Sequence, residues 1–252
     1  HIHVRLAIDE VPNIRHLVNH DIHTLLLQPI AYNWSPYAVL RDVNWLAEFH
    51  ALQHLEISLN GDSAPKFVEL LKCQLTFPKL QALVVSTNHA CHGLWHALTT
   101  WNRPCLRVLC TNGFRLENVP FHNLQSLRYL YINRPGTRHS SYLATNIARD
   151  LPVLKYLTTS EFPGLGTEIT HWMTCLSTEN SLPELQFWEV NGSDLTKHDI
   201  VFMTTSLIDR KSPHPLTIQG LVMNETCVSH GFHRLLSYLA RIIPLHKHRI
   251  YR

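Results

Sequence analysis

One arrangement of apolar positions recurs along the chain. An apolar residue is followed three positions later by a second one, and five positions later by a third apolar residue or a threonine. Eight such phrases occur, and their middle residues are Leu25, Leu55, Leu83, Leu109, Leu130, Leu157, Trp188 and Leu221. The middle residues lie about 28 positions apart on average, so the pattern predicts one short strand in each of eight structural repeats.

The segments between the phrases favour helices. The stripes Leu143-Ile147-Leu151 and Ile169-Trp172-Leu176 place apolar residues on one helical face, and weaker stripes lie within 67–71, 200–207 and 232–243. A proline precedes the strand phrase in several repeats, where its ring disfavours helix in the residue ahead of it. These prolines are Pro78, Pro104, Pro152, Pro183 and Pro215.

Strands that alternate with helices at this period define an α/β leucine-rich-repeat solenoid, with a curved parallel sheet on its concave face and helices on its convex face. The repeat that covers 112–125 is short, and it predicts an extended or single-turn return through Pro120. The repeats fill 22–243. We interpret 1–21 as a degenerate repeat or cap, and 244–252 as a basic tail.

Composition and charge narrow the class of protein. Hydrophobic residues make up 45% of the 252 positions, enough for a full core, and the leucine excess agrees with a repeat protein. A net charge of +3 without a run of Lys and Arg argues against nucleic acid as a partner. No uninterrupted apolar stretch reaches the length of a membrane span, so we expect no membrane partner.

Cysteine usage and the first residue bear on location. The six cysteines form no CxxC pair, which favours buried thiols in a reducing compartment. Glycosylation triplets at Asn33, Asn191 and Asn224 keep a secreted protein as an alternative. The chain starts at His1 without methionine or a signal-peptide pattern, so we expect a fragment of a longer protein.

Three of the phrases carry a family resemblance. The segments 77–83, 151–157 and 182–188 place a proline ahead of the first leucine, and they resemble the leucine-rich repeats of fungal-type F-box proteins. The asparagine that commonly follows the third apolar position is present at Asn60 and Asn88 and absent from most other repeats. No F-box segment appears within the sequence.

The resemblance implies a function and a location. It implies that the chain is the substrate-binding region of an F-box-type ubiquitin ligase receptor, in the cytoplasm or nucleus. The cullin adaptor would then bind only through a missing N-terminal segment, and a protein substrate would bind the concave face. The alternative is a leucine-rich-repeat scaffold or immune-type sensor with no ligase role.

The predicted concave face carries the candidate binding residues. Strand alternation exposes the residue before each middle residue there, which gives Thr24, His54, Ala82, Val108, Tyr129, Tyr156, Phe187 and Gly220. The aromatic members form a ladder that Tyr131 extends, and Glu56 and Glu189 are the carboxylates of the face. The ladder has two interpretations, which are a partner-binding surface and rings that only pack on one another.

Candidates for catalysis and cofactors are weak. Two clusters of histidine and cysteine are candidate metal sites at strand-to-helix loops, namely His89, Cys91, His92 and His96, and Cys227, His230 and His233. Neither has a recognised ligand spacing, and 164–166 lacks the third glycine of a phosphate-binding loop. Paired carboxylates and nucleophile motifs are also missing, so we expect no enzyme, metal or cofactor.

Overall fold

Nine strands of the described chain form one parallel sheet in sequence order, from β1 to β9. This computed structural model describes residues 2–7, 21–28, 46, 48–59, 76–91, 101, 103–114, 121–133, 141–161, 165–177, 181–191, 202 and 217–221. The strands are β1 Ile2–Ala7, β2 Ile22–Gln28, β3 His54–Leu59, β4 Ala82–Cys91, β5 Val108–Phe114, β6 Tyr129–Asn133, β7 Tyr156–Ser160, β8 Phe187–Asn191 and β9 Thr217–Leu221.

Two helices and one short turn are described between the strands. Helix α1, Ser141–Asp150, lies between β6 and β7, and helix α2, Leu165–Ser177, lies between β7 and β8. Both predicted stripes are confirmed, since Leu143 and Ile147 of α1 and Trp172 of α2 are buried. In the short repeat, the described part of the return contains a 3-10 turn, Phe121–Leu124, which agrees with the predicted single-turn return. The stripes predicted within 67–71, 200–207 and 232–243 lie outside the described residues, apart from position 202.

A repeated backbone turn sets the start of each strand phrase. The amide of the first apolar residue donates to the carbonyl three residues earlier, as from Leu80 to Phe77, from Leu154 to Leu151 and from Leu185 to Leu182. The residue at the start of this turn is buried in every described repeat. Arg103 occupies that position before β5; burial lowers its pKa to about 10, and its Nη1 donates to the carbonyl of Trp101 at 3.2 Å.

The strand register aligns the predicted middle residues with one exception. Leu25, Leu55, Leu83, Leu109, Leu130, Leu157 and Trp188 face one another across adjacent strands. In β9 the partner of Trp188 is Ile218, so the prediction of Leu221 as the last middle residue is wrong. Pro213 explains the shift, because it precedes Ile218 by the same five residues that separate Pro183 from Trp188.

The sheet has two faces with different surroundings. The middle residues belong to one buried apolar cluster with α1 and α2, and we call this side the core face. The opposite side carries a separate cluster of Ala82, Val108, Cys110, Tyr129 and Tyr131, with Val84 and Tyr156 packed against it. We call this side the ladder face. The protein is an α/β solenoid of the leucine-rich-repeat type.

Candidate functional site

The predicted ladder is present and in register. Tyr129 of β6 pairs with Tyr156 of β7, and Tyr156 pairs with Phe187 of β8. The Tyr129 and Tyr156 rings are stacked, with centroids 6.0 Å apart, and the Tyr156 and Phe187 rings are tilted, with centroids 6.5 Å apart. The rings therefore pack on one another across the strands, and partner binding by the same rings stays a prediction.

The shifted register of β9 changes the end of this row. Thr217 is the backbone partner of Phe187, whereas Gly220 is the partner of Val190. Gly220 was predicted as the last member of the ladder row, and that prediction is wrong because the phrase was placed three residues too late. The row runs from Thr24 and His54 through the aromatic residues to position 217.

The predicted site residues differ widely in exposure. Tyr129, Tyr131 and Glu189 keep only 3%, 8% and 1% of their surface exposed, and His54 is buried as well. Tyr156, Phe187 and Glu56 are half-buried. These three side chains are therefore the members of the predicted site that a partner can contact directly, while the buried members support them.

Burial and nearby negative charge both raise the pKa values of three titratable groups on the ladder face. The Tyr129 hydroxyl and Thr158 Oγ1 are hydrogen bonded at 3.3 Å. Burial raises the pKa of Tyr129 well above its ordinary range, with Cys110 and Glu189 adding to the effect. Burial and the same neighbours raise the pKa of Tyr131 to about 12. Burial, then the charge of Glu56, raises the pKa of the Cys110 thiol.

A row of small polar side chains lies two positions beyond Tyr131 and was missed by the sequence analysis. In this row Ser86 Oγ donates to Ser58 Oγ at 3.1 Å. Asn112 and Asn133 are backbone partners, and the Oδ1 atom of each is buried without a hydrogen-bond donor. The signal was available, because each residue stands four positions after a member of the ladder row and strand alternation returns it to the same face.

Three cationic residues of this region lie at the starts of strands β5, β6 and β7. Arg107 and Arg128 are exposed, and Lys155 Nζ pairs with Glu184 Oε2 at 3.6 Å. Each of the three immediately precedes a ladder-row position, and their carbonyls accept hydrogen bonds from the next strand in turn. Arg5 of β1 also occupies a ladder-face position, because its backbone partner is Leu26, which in turn is the partner of Glu56.

A polar cluster on the helices was also missed. The Thr145 hydroxyl of α1 donates to the Ser141 carbonyl at 3.1 Å and lies 3.0 Å from His171 Nε2 of α2. Cys175 Sγ lies 3.4 Å from the same ring nitrogen. These exposed contacts join the two helices. The i, i+4 spacing of His171 and Cys175 in the sequence was the available signal.

The structure describes only two of the histidine and cysteine residues that are candidate metal ligands. His89 and Cys91 lie within β4, so their prediction in a strand-to-helix loop is wrong, because the strand continues through Cys91 and pairs with Phe114. His92, His96, Cys227, His230 and His233 lie outside the described residues. Where the structure describes side chains, no group of three or more His, Cys, Asp or Glu could hold a metal ion.

Three further sequence predictions concern membrane spans, phosphate binding and the C-terminal tail. The helices in the described segments are too short or too polar to cross a membrane. Position 166, part of the candidate phosphate-binding segment 164–166, belongs to the first turn of α2. The basic tail predicted at 244–252 lies outside the described residues.

Comparison with known proteins bears on the fold. No protein-family model matches the chain, and no curated protein matches it. A crystal structure of a protein from Bacteroides fragilis, a target of the Northeast Structural Genomics Consortium, is similar with a TM-score of 0.50 and 12% sequence identity. The match covers 85% of this chain and 64% of that protein, so the chain spans less than two thirds of the length of the protein it matches.

At that identity the similarity concerns the fold alone. It agrees with the class that the repeats, the parallel sheet and the ladder face define, which is an α/β solenoid of the leucine-rich-repeat type. The resemblance to F-box proteins remains a prediction.

Proposed function

We propose that this chain is a protein-recognition module that binds a partner protein on the ladder face. The observation that carries the proposal is the pair Tyr156 and Phe187, which project from adjacent strands of a face that α1 and α2 do not cover and which stay half-exposed. Aromatic side chains bury a large area on binding at a small cost in conformational entropy, so they dominate many protein interfaces.

The buried neighbours support this role. The Tyr129 ring stacks on the Tyr156 ring, and the Tyr129 hydroxyl is hydrogen bonded to Thr158. The half-exposed rings therefore pack against a buried ring that is held in place. Rings held in place before binding lose less entropy when a partner arrives. A parallel sheet with one strand per repeat also offers a long continuous surface, which suits a protein partner better than a small molecule.

The test is affinity capture of the full-length protein from its own cells. The double substitution Tyr156→Ala with Phe187→Ala removes the half-exposed rings, and Tyr142→Ala is the matched control because Tyr142 of α1 is 75% exposed on the helix side. We expect one partner to be captured by the unmutated protein and by the control, and lost from the double variant. Identical partner sets for all three proteins would contradict the proposal.

The finer proposal is an F-box-type substrate receptor in the cytoplasm or nucleus, and it rests on the three proline-leucine phrases alone. In the same experiment, the cullin adaptor should accompany all three versions, since it would bind upstream of the ladder face. If the adaptor is missing from every sample while the partner is captured, the ligase role fails. The chain is then a scaffold or immune-type sensor that recognises proteins without a ligase.

A further inference from the structure

We infer that the partner segment bound at the ladder face is acidic, with carboxylate side chains directed at Arg107 and Arg128. The inference rests on the proposed function, because it names the chemistry of the partner that this face accepts. It depends on three observations, which are a row of accessible polar side chains beside the ladder row, two exposed arginines in that row, and a carboxylate already paired with the lysine next to them.

A continuous row of polar side chains runs along the strand starts beside the ladder row. The amide of each member donates to the carbonyl of the member on the preceding strand at 2.8–3.0 Å, so the members lie side by side. These side chains are half-buried or exposed, and a partner can therefore reach them. We call this the rim row, and its described members are His23, Gln53, Gln81, Arg107, Arg128, Lys155 and Gln186.

The rim row is positive at its centre, and its described members include no carboxylate. Arg107, Arg128 and Lys155 lie on the consecutive strands β5, β6 and β7, whose backbones are about 4.8 Å apart. Both arginines are exposed, and neither forms an ion pair with a carboxylate that the structure describes. Glu56 on β3 and Glu189 on β8 are each at least two strands away from both arginines. Like charges on adjacent strands repel, so a negative group between the arginines is attracted by both.

A carboxylate is already the ligand at one end of these three cations. Lys155 Nζ pairs with Glu184 Oε2 at 3.6 Å, so a carboxylate of the chain itself lies against the rim row. A guanidinium group binds a carboxylate through two parallel hydrogen bonds, and each arginine can therefore hold one carboxylate of a partner. Single charges on successive strands match carboxylates that are spread along a segment better than one concentrated anion.

The arginines lie close enough to the half-exposed rings for one segment to contact both. From Phe187 on β8, Arg128 is two interstrand steps away and Arg107 is three, which is about 10 Å and about 14 Å. An extended segment rises about 3.3 Å per residue and presents alternate side chains on one face, so five consecutive residues span about 13 Å. An apolar residue followed at the second and fourth positions by carboxylates therefore fits the rings and the arginines together.

The probe is a fluorescein-labelled peptide of about nine residues with Phe-x-Glu-x-Glu at its centre. It is made in both sequence orders, since a segment can cross the strands in either direction. Matched peptides carry glutamine or lysine in place of both glutamates, and binding to the full-length protein is measured by fluorescence anisotropy. The net charge of +3 attracts any acidic peptide, so the control variant is Arg149→Gln, which removes one positive charge at an exposed position of α1.

We expect the glutamate peptide, in one of the two orders, to bind about fivefold more tightly than the glutamine peptide, and the lysine peptide to bind weakest. Arg128→Gln should weaken glutamate-peptide binding by about threefold and leave glutamine-peptide binding unchanged. Arg149→Gln should leave both unchanged. The paired substitution Arg107→Glu with Arg128→Glu should reverse the preference, so that the lysine peptide binds more tightly than the glutamate peptide. Unfolding cannot produce this reversal, because it would weaken the binding of every peptide.

Equal binding of the glutamate and glutamine peptides in both orders, no binding of the glutamate peptide, or an equal effect of Arg149→Gln would overturn the inference. Its failure is distinguishable from failure of the proposed function. If the captured partner is lost from the Tyr156→Ala, Phe187→Ala variant but retained after Arg107→Glu with Arg128→Glu, recognition by the ladder face stands and the acidic segment does not. If the captured partner survives the loss of both rings, the proposed function itself fails.

Discussion

Phe187 and Trp188 are consecutive aromatic residues on β8, and they face opposite sides of the sheet. Trp188 is fully buried on the core face, stacks on Trp172 with ring centroids 5.4 Å apart, and donates from Nε1 to Thr159 Oγ1 at 3.2 Å. Phe187 touches Tyr156 on the ladder face and keeps exposed area. The indole therefore has its packing and hydrogen bonding completed within the chain, while the phenyl ring has surface left for a partner.

The same contrast appears one strand earlier, at Thr158 and Thr159 of β7. Thr159 serves the core face, where its hydroxyl donates to the Glu189 carbonyl at 3.4 Å and accepts from the indole of Trp188. Thr158 serves the ladder face, where it is hydrogen bonded to the hydroxyl of Tyr129. Adjacent threonines of one strand thus hold aromatic rings on both faces. On the core face the hydrogen bond stabilises a buried indole, and on the ladder face it holds a ring of the proposed binding surface.

The largest expected effect comes from truncating the two aromatic residues of β8 separately. Trp188→Ala removes a fully buried indole from the core face, and we expect the free energy of unfolding to fall by about 3–5 kcal/mol. Phe187→Ala should cost only about 1 kcal/mol, because the ring is already partly hydrated. Urea denaturation of both variants measures the difference. Similar losses would mean that the ladder belongs to the core and is not a presented surface.

A smaller effect is expected from the paired threonines. Thr159→Val leaves the indole N–H of Trp188 buried without an acceptor, which should cost about 2 kcal/mol. Thr158→Val should cost about 0.5–1 kcal/mol, since the Tyr129 hydroxyl loses one partner but its oxygen and hydrogen can reorient. Denaturation curves of the two variants give the comparison. Equal costs would show that the hydroxyl groups of the two faces contribute alike to stability.

Much of this fold follows from the spacing of apolar residues. The phrase that places Leu55, Leu83 and Leu109 on one side also determines the parallel register, because each strand repeats the same alternation. The last repeat was misplaced because Ile218-Leu221-Met223 fits the apolar pattern better than the true register does. Pro213 was the better guide, since Pro78, Pro104, Pro152 and Pro183 each lie five residues before the middle residue of their repeat, as Pro213 lies before Ile218.

The site was less predictable than the fold. Alternation along a strand indicates which face a side chain meets, but the extent of burial depends on every segment that packs nearby, so the burial of Glu189 and Tyr131 was not foreseen. Arg103 shows the same limitation, because a charged residue occupies a buried turn position that Phe77 and Leu151 fill elsewhere. The register with neighbouring repeats, rather than residue type, was the informative signal there.

The smallest expected effect is a loss of stability at alkaline pH, which we attribute to the buried thiol of Cys110 on the ladder face. The pKa of the Cys110 thiol is raised from its ordinary value of 9.0 by burial and then by the charge of Glu56. Above about pH 9 the unfolded chain loses this proton while the folded chain keeps it, so the folded state binds more protons and stability falls as pH rises. We expect the free energy of unfolding to fall by about 1 kcal/mol between about pH 9 and about pH 10 because of this group.

The free energy of unfolding of two variants, measured across this pH range, tests the prediction. Cys110→Ala should flatten the pH dependence, and Cys105→Ala, at an exposed cysteine, should preserve it. Equal slopes in the two variants would show that the ladder face does not hold its thiol protonated.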